Sequence, residues 1–261
     1  MILKFNCMPI ATRAVFDRLY NSAKFKETGA TLMGGTALSL LIGHRLSEDL
    51  DFFFFKDVLP KDEIHATLNE LRIAGFDVQN IMDQARISQA KINGIYLNDL
   101  IQEYAVNGVK LSFAVMSKGA RSRKEYFKER YSSPNEGAFF IPDLTTLFES
   151  KAVVLMDRVQ SRDLFDLMVL INDHGFSVQN IIEAIVSIDD VDENEAQVVC
   201  EILTGNIPVD KDDPGFQSID LSVSLKSVYK KLSEQVNKYE QEMSRAVLAD
   251  RKRGRYPLIS D

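Results

Sequence analysis

Two short stretches of the chain combine residue types that could bind and transfer phosphate groups. Gly34 and Gly35 follow the apolar segment 31–33 and precede a run of helix-forming residues that begins at Thr36. Backbone N–H groups at such a strand-to-helix turn can approach a phosphate closely, and the positive end of the helix dipole points at the same place. We therefore expect residues 34–36 to cradle phosphate groups.

A pair of carboxylates follows the glycines by one helix and one loop. Asp49 and Asp51 stand two residues apart at the start of a segment, 50–55, predicted to be a strand. Side chains two apart on a strand project from one face. Two carboxylates on one face suit Mg²⁺ (or Mn²⁺), which also takes phosphate oxygens from a substrate. Asp49 and Asp51 are thus the predicted metal ligands of a phosphoryl- or nucleotidyl-transfer site.

Each half of this pattern is weak alone, because a Gly-Gly pair is usually a turn and an Asp-x-Asp pair is more often a solvated strand end. The combination is more specific. A purely structural interpretation must also explain why two charges stand beside Leu50, Phe52 and Phe53 in an otherwise core-like strand.

Hydrophobic periodicity predicts an α+β fold, with strands and helices over 1–142 and an all-helical region over 143–261. The predicted helices of the first region are 10–27, 36–42 and 60–74, and its predicted strands are 31–33, 50–55, 85–92 and 109–116. Asp143 is expected to cap a helix, 162–173 to continue as a second one, and apolar residues from Leu225 to Val247 to form one buried stripe on a long last helix.

The helical region contains a second candidate cluster. Lys151, Arg158, Arg162 and Asp166 fall on one helical face if the helix is unbroken, and Asp163 and Asp166 lie about one turn apart. The alternative is a solvated helix with ordinary ion pairs. Lys151 is the strongest candidate, because its neighbours 152–154 are apolar.

At these residues the sequence resembles a known family. Residues 34–38 (GGTAL) with 43–52 (GHRLSEDLDF), and residues 151–155 (KAVVL) with Arg158 and 162–167 (RDLFDL), resemble two motifs of the AbiEii-type toxins of the nucleotidyltransferase superfamily. The resemblance covers about residues 31–170. It implies a nucleotidyltransferase fold with a mixed sheet and flanking helices, an NTP substrate, a divalent metal and a separately encoded antitoxin.

The same resemblance implies roles for single residues. Lys151 would contact the triphosphate, and Asp163 or Asp166 would help to organise the catalytic site. Within the motifs, Arg45, Ser47 and Arg162 are candidates for binding the nucleotide, although a loop cap is the competing interpretation of Ser47.

One position departs from the pattern. A third carboxylate often comes from a neighbouring strand, and the corresponding position here carries Ser112. Either Asp163 or Asp166 compensates, or the metal is held more weakly, or catalysis is impaired; Glu103 is another candidate donor.

The bulk composition narrows the remaining choices. The net charge is −7 and the pI about 5.2, so no whole-molecule basic field is available to grip nucleic acid. Two cysteines are too few for a disulfide framework, and no apolar run approaches the roughly 20 residues that span a bilayer, so we expect a cytoplasmic protein. The basic segments 118–130 and 251–255 could contact RNA, or be solvated helix and tail.

The leading functional prediction is a toxin that transfers NMP from an NTP to an RNA (such as tRNA) or protein acceptor. One alternative is a catalytically impaired nucleotide- or partner-binding module with the same fold. Another is a phosphotransferase that moves only the terminal phosphate.

Overall fold

The computed structural model describes residues 2–116, 121–130, 137–216 and 221–252. The chain divides into two compact units, one of residues 1–150 with 219–221 and one of residues 151–218 with 222–261. Lys118 and residues 253–255 of the two basic segments lie outside the described residues. None of the described helices combines the length and the apolar character needed to cross a membrane.

The first unit is built on one mixed sheet. Its described strands are β1 (Thr31–Met33), β2 (Leu50–Phe54), β3 (Val78–Asn80), β4 (Ile101–Val106) and β5 (Val109–Val115). They lie in the order β1-β2-β5-β4-β3, and β2 pairs with β5 in parallel while the other pairs are antiparallel. The strands predicted at 31–33, 50–55 and 109–116 are therefore confirmed within a residue at their ends.

Along the chain, helices precede, separate and follow the strands of this sheet. They are α1 (Ile10–Tyr20), α2 (Ala23–Thr28), α3 (Gly34–Ile42), α4 (Lys61–Ile73), α5 (Gln84–Ile92) and α6 (Arg121–Arg130). The single helix predicted over 10–27 was wrong, because the Ser22 hydroxyl accepts a hydrogen bond from Phe25 N and caps a new helix. Ile10 at the start of α1 is 91% exposed, whereas Leu19 and Phe25 are fully buried.

The strand predicted over 85–92 was also wrong, since this segment is α5. The Asp83 carboxylate accepts a hydrogen bond from Ala85 N and caps the helix, and the chain turns at Gly94 with φ +75°. No residue of α5 is buried. The segment therefore lacks the packing against a sheet face that would favour a strand.

Alternation along β2 separates the core from a polar face of the sheet. Leu50, Phe52 and Phe54 are fully buried, whereas Asp51 and Phe53 are half-buried. On the buried face Phe52 packs edge-on against Phe25, with ring centroids 4.8 Å apart. Asp51 stands beside core residues in the sequence because neighbouring side chains on a strand point to opposite faces, whereas Asp49 precedes β2.

The second unit is helical, as predicted. After α7 (Leu144–Val154), in which the division between units falls, come α8 (Ser161–Asp173), α9 (Val178–Asp189), α10 (Glu193–Ala196), α11 (Val198–Thr204) and α12 (Leu225–Lys252). Asp143 caps α7 by accepting a hydrogen bond from Thr146 N. The stripe on α12 is buried from Val228 to Tyr239, but Val247 is 43% exposed, so the predicted stripe ends earlier than expected.

The mixed sheet with flanking helices and the helical region that follows it together confirm the predicted α+β fold class.

Candidate active site

The glycine turn lies directly against one of the predicted metal ligands. Strand β1 runs into α3 at Gly34, whose φ of +72° favours glycine. Asp51 pairs with Met33 across β1 and β2, and a Cβ atom at Gly34 would lie 3.1 Å from Asp51 Oδ2. A glycine at position 34 therefore satisfies both the backbone conformation and the close approach of the carboxylate.

The second glycine, Gly35, leaves space for the side chain of Arg45. A Cβ atom at Gly35 would overlap Nη2 of Arg45, so the guanidinium lies against the first turn of α3. Arg45 is only 7% exposed, and its Nη1 donates a hydrogen bond to Leu46 O at 3.0 Å. The side chain of Met33, the N-cap residue of α3, forms no cap hydrogen bond with the helix. The guanidinium of Arg45 thus adds its positive charge to the positive end of the helix dipole at this turn.

Two buried hydroxyls fix the loop that leads to the carboxylates. The oxygens of Thr36 and Ser47 lie 2.7 Å apart, and Thr36 Oγ1 also donates to the carbonyl oxygen of Asp49. Thr36 is 1% and Ser47 5% exposed. These bonds tie Asp49 to the first turn of α3 and give both hydroxyls a positioning role, while their direct contact with a nucleotide stays a prediction.

A row of polar side chains crosses the sheet at Asp51. Ser112 on β5 pairs with Asp51 on one side and with Glu103 of β4 on the other. Directly paired residues project from the same face of a sheet. Ser112 Oγ donates a hydrogen bond of 2.5 Å to Asp51 Oδ1, so the two carboxylate oxygens have different neighbours: Ser112 beside Oδ1 and Gly34 beside Oδ2.

Lys110 is a site residue that the sequence interpretation missed. It precedes Ser112 by two residues on β5 and forms an ion pair of 2.8 Å with Glu103. Burial lowers the pKa of Lys110, but the hydrogen bond and charge of Glu103, with the charges of Asp51 and Asp49, raise it overall. Lys110 therefore lies within electrostatic reach of both aspartates. Its spacing from Ser112 on a predicted strand was the available signal.

The acidic groups of this face do not converge into a larger cluster. Among the described residues no group of three or more His, Cys, Asp or Glu side chains could hold a metal ion. Glu103, which the sequence left open as a donor, is held by Lys110 instead. Asp51 lies beside the glycine turn, and the carbonyl oxygen of Asp49 is bonded to Thr36 in the first turn of α3; a metal-binding role for the two carboxylates stays a prediction.

In the second unit, Lys151 lies between two carboxylates. Its Nζ is 2.5 Å from Asp163 Oδ1 and 2.9 Å from Asp166 Oδ2, and Lys151 is only 8% exposed. Arg158 adds a longer contact of 3.4 Å to Asp163. The helix is broken between Val154 and Ser161, so the single helical face that an unbroken helix would give is not formed. The turn between α7 and α8 brings these groups together instead.

The segment 210–215 forms hydrogen bonds with residues at the start of α8. Sequence patterns did not reveal these bonds. Asp210 accepts a hydrogen bond of 3.0 Å from Val159 N, and Asp213 accepts bonds from both N and Oγ of Ser161. Arg162, predicted to bind nucleotide, donates from Nε to Gly215 O at 3.2 Å. These bonds fix the start of α8, the helix that carries Asp163 and Asp166.

Helix α6 is the described part of the basic segment, and several of its charged side chains interact with residues of the same unit. Lys124 pairs with Asp57 at 2.9 Å, and Arg130 lies over the Tyr126 ring and 3.4 Å from Glu149. Burial and the hydrogen bond to Glu149 raise the pKa of Tyr126 to about 12. The paired helix, one of the two interpretations of this segment, agrees with these contacts better than a free RNA-binding surface does.

The predicted residues thus form two groups, each described within its own unit. Gly34, Gly35, Thr36, Arg45, Ser47, Asp49 and Asp51 come together in the first, and Lys151, Arg162, Asp163 and Asp166 in the second. A family model described as "Nucleotidyl transferase AbiEii toxin, Type IV TA system" matches residues 17–252, which include both groups.

The chain belongs to the AbiEii nucleotidyl transferase toxin family.

Other comparisons are more distant. The chain is 26% identical over 153 residues to "Uncharacterized protein aq_aa25" of Aquifex aeolicus (strain VF5), a match of 58% of this chain. The chain spans 61% of the length of that curated relative. A solved structure from H. pylori, described as a "putative nucleotidyltransferase", is 17% identical with a TM-score of 0.48, covering 90% of this chain and 96% of that one.

Proposed function

We propose that this member of the AbiEii family transfers NMP from an NTP to an acceptor hydroxyl, with RNA (such as tRNA) as the leading acceptor class and protein as the other. It acts in the cytoplasm as the toxin of a pair with a separately encoded antitoxin. The observation that carries the proposal is the contact between the glycine turn and Asp51, where a Cβ at Gly34 would lie 3.1 Å from Oδ2. A phosphate bound at the turn would therefore lie beside a carboxylate that can share a cation with it.

The donor set fits magnesium or manganese. Carboxylate oxygens are hard ligands, and Mg²⁺ is usually held by one or two carboxylates together with waters and substrate phosphates. Asp49 and Asp51 supply those carboxylates, and Thr36 and Ser47 hold the loop from which Asp49 projects. When bound, the cation would polarise the triphosphate and neutralise its charge.

The residues of the first unit would position the substrate for an in-line transfer. The acceptor oxygen attacks the α-phosphorus and forms a new P–O bond, the bond from the α-phosphorus to the bridging oxygen breaks, pyrophosphate leaves, and the acceptor proton passes to solvent. The N–H groups at the start of α3 and the guanidinium of Arg45 would hold the anionic phosphates in place. The role at a triphosphate that the family resemblance implies for Lys151 stays a prediction.

Transfer of label tests this function. Wild type is incubated with total RNA and NTP labelled at the α-phosphate, beside Asp51→Asn and a matched control, Glu48→Gln, whose exposed side chain stands in the same loop. Wild type and Glu48→Gln should label RNA equally, and Asp51→Asn should label it about a hundredfold less. Equal labelling by Asp51→Asn would refute the assignment. In a parallel incubation with NTP labelled at the γ-phosphate, labelled acceptor would indicate transfer of the terminal phosphate instead.

The catalytically impaired binding module is a second candidate that one observation favours. Ser112, a neutral hydroxyl, occupies the position directly paired with Asp51, where a third carboxylate is often found. Calorimetry decides between the two functions: NTP binding without any product from RNA or protein acceptors would favour the binding module.

A further inference from the structure

We infer that the site binds one divalent cation per chain, on the Oδ2 side of Asp51, and that Ser112 and Lys110 prevent a second cation from binding on the Oδ1 side. The inference rests on the proposed function, because it concerns the same cation and the same carboxylates. The inference specifies one metal ion. In a two-metal site, by contrast, the ions stabilise both the attacking and the leaving oxygens of a displacement.

The first step concerns the two oxygens of Asp51. A carboxylate bridges two cations when each of its oxygens faces one of them. Oδ1 already accepts the Ser112 hydroxyl at 2.5 Å, which directs a hydrogen atom, rather than a lone pair, at this oxygen. The neutral hydroxyl also offers no negative charge to a second cation. An aspartate at position 112 would provide both a free acceptor and a charge.

The second step concerns the charge beside Ser112. Lys110 stands two residues earlier on the same strand and therefore projects from the same face. Its ammonium is 2.8 Å from Glu103, and Glu103 is in turn the residue paired with Ser112 from β4. The charge of Glu103, the acid paired with Ser112, is thus already balanced by an ammonium and is not available to attract a second divalent ion.

The opposite side of Asp51 faces the turn at which the phosphates are proposed to bind, and their negative charge would offset the positive charge of Arg45 and of the start of α3. Beside Oδ2 lies Gly34, which has no side chain, at the start of α3. A cation on this side could share its coordination between Asp51 and phosphates bound at the turn. The asymmetry of the two oxygens therefore selects the position that serves the triphosphate and excludes the position that would serve the acceptor.

The test counts bound Mn²⁺ by electron paramagnetic resonance in the presence of a non-hydrolysable NTP analogue. Wild type should bind one Mn²⁺ per chain and give the spectrum of an isolated ion. Ser112→Asp should bind a second ion at least tenfold more tightly than wild type does, with the broadening that two coupled Mn²⁺ ions produce. Ser112→Asn is the matched control, because it has the size of aspartate without the charge, and should stay at one ion.

The outcomes distinguish a failure of this inference from a failure of the proposed function. Two coupled ions of similar affinity in wild type would overturn the inference and leave the nucleotidyltransferase proposal standing. A folded Ser112→Asp, checked by circular dichroism, that still binds one ion would also overturn it. Asp51→Asn serves as the blank for metal carried by the analogue alone, and if it retains as much Mn²⁺ as wild type, the proposed metal site itself is wrong.

Discussion

The aspartate carboxylates of the two units have different kinds of partner. In the first, Asp51 is half-buried, its Oδ1 accepts a neutral hydroxyl, and its Oδ2 faces a glycine. In the second, Asp166 is fully buried and lies 2.9 Å from the ammonium of Lys151. The Asp51 carboxylate is thus open to an external cation, while the Asp166 carboxylate already has an internal one.

The comparison shows that the partners of a carboxylate, more than its residue type, decide what it can do. A buried ion pair is retained only when charge and hydrogen bonding are both satisfied, and removing one partner is costly. A carboxylate held by a hydroxyl keeps its full negative charge for a ligand. The Lys151 cluster should therefore make a large contribution to stability, whereas the Asp51 site should contribute mainly to binding.

The largest effect is expected for Lys151→Met, which keeps the apolar stem but removes the ammonium 2.5 Å from Asp163 and 2.9 Å from Asp166. Breaking a buried pair leaves carboxylate charge buried and typically costs about 3–5 kcal/mol. Urea denaturation should show a loss of about 3 kcal/mol in the free energy of unfolding.

Lys24→Met is the matched control for this change, since Lys24 and Glu27 form an exposed pair at 3.9 Å. It should alter stability by less than about 0.5 kcal/mol. If both substitutions had equally small effects, the proposed contrast between the two units would fail.

The next effect concerns the glycine beside Asp51. Gly34→Ala places a side chain in a backbone with φ +72° and a Cβ 3.1 Å from Oδ2, whereas Gly175→Ala meets φ +79° with nothing within 4 Å. Each should lose about 1–2 kcal/mol of stability from the backbone conformation. Only Gly34→Ala should also lower Mn²⁺ affinity, by roughly tenfold. Unchanged Mn²⁺ affinity in Gly34→Ala would separate the glycine from the metal site.

A smaller effect is expected for Thr36→Val, which keeps the side-chain shape but removes the hydroxyl bonded to Ser47 and to the Asp49 carbonyl. Its stability should fall by about 1 kcal/mol, and NMP transfer should fall with it, because Asp49 loses its tie to α3. Thr67→Val is the control, since that buried hydroxyl bonds Glu63 O within one helix. A Thr67→Val variant that lost transfer to the same degree would show that the loss reflects stability alone.

The smallest effect is a pH dependence at Glu149. Burial raises its pKa above the ordinary value of 4.5, although the hydrogen bond from Tyr126 and the charge of Arg130 lower it. Because the folded state then binds the proton more tightly than the unfolded state, this group's stabilising contribution is present at low pH and is lost as pH rises through the raised pKa. Glu149→Gln cannot ionise, so its stability relative to wild type should increase from pH 4.5 upward; a flat difference would contradict the assignment.

Local sequence was sufficient for the parts of the site that depend on neighbouring residues. The apolar triplet, the two glycines and the helix formers after them predicted β1, the turn and α3, because these elements arise from backbone preference and short-range hydrogen bonds. The alternation of side chains along β2 explains why Asp51 leaves the core face on which Leu50 and Phe52 lie. The same local reasoning failed at 85–92, where the cap at Asp83 outweighed the apparent strand pattern.

The tertiary structure alone decided which groups meet. Asp51 and Ser112 are far apart in sequence, and only the parallel pairing of β2 with β5 places the hydroxyl on Oδ1. The pairing of β4 with β5 likewise brings Glu103 to Lys110, and the break between α7 and α8 brings Lys151 to Asp163. Strand order and register are set by the packing of the whole sheet, so no single segment contains them. The sequence therefore determined the chemical groups of the site, and long-range pairing determined which of them remain available to a ligand.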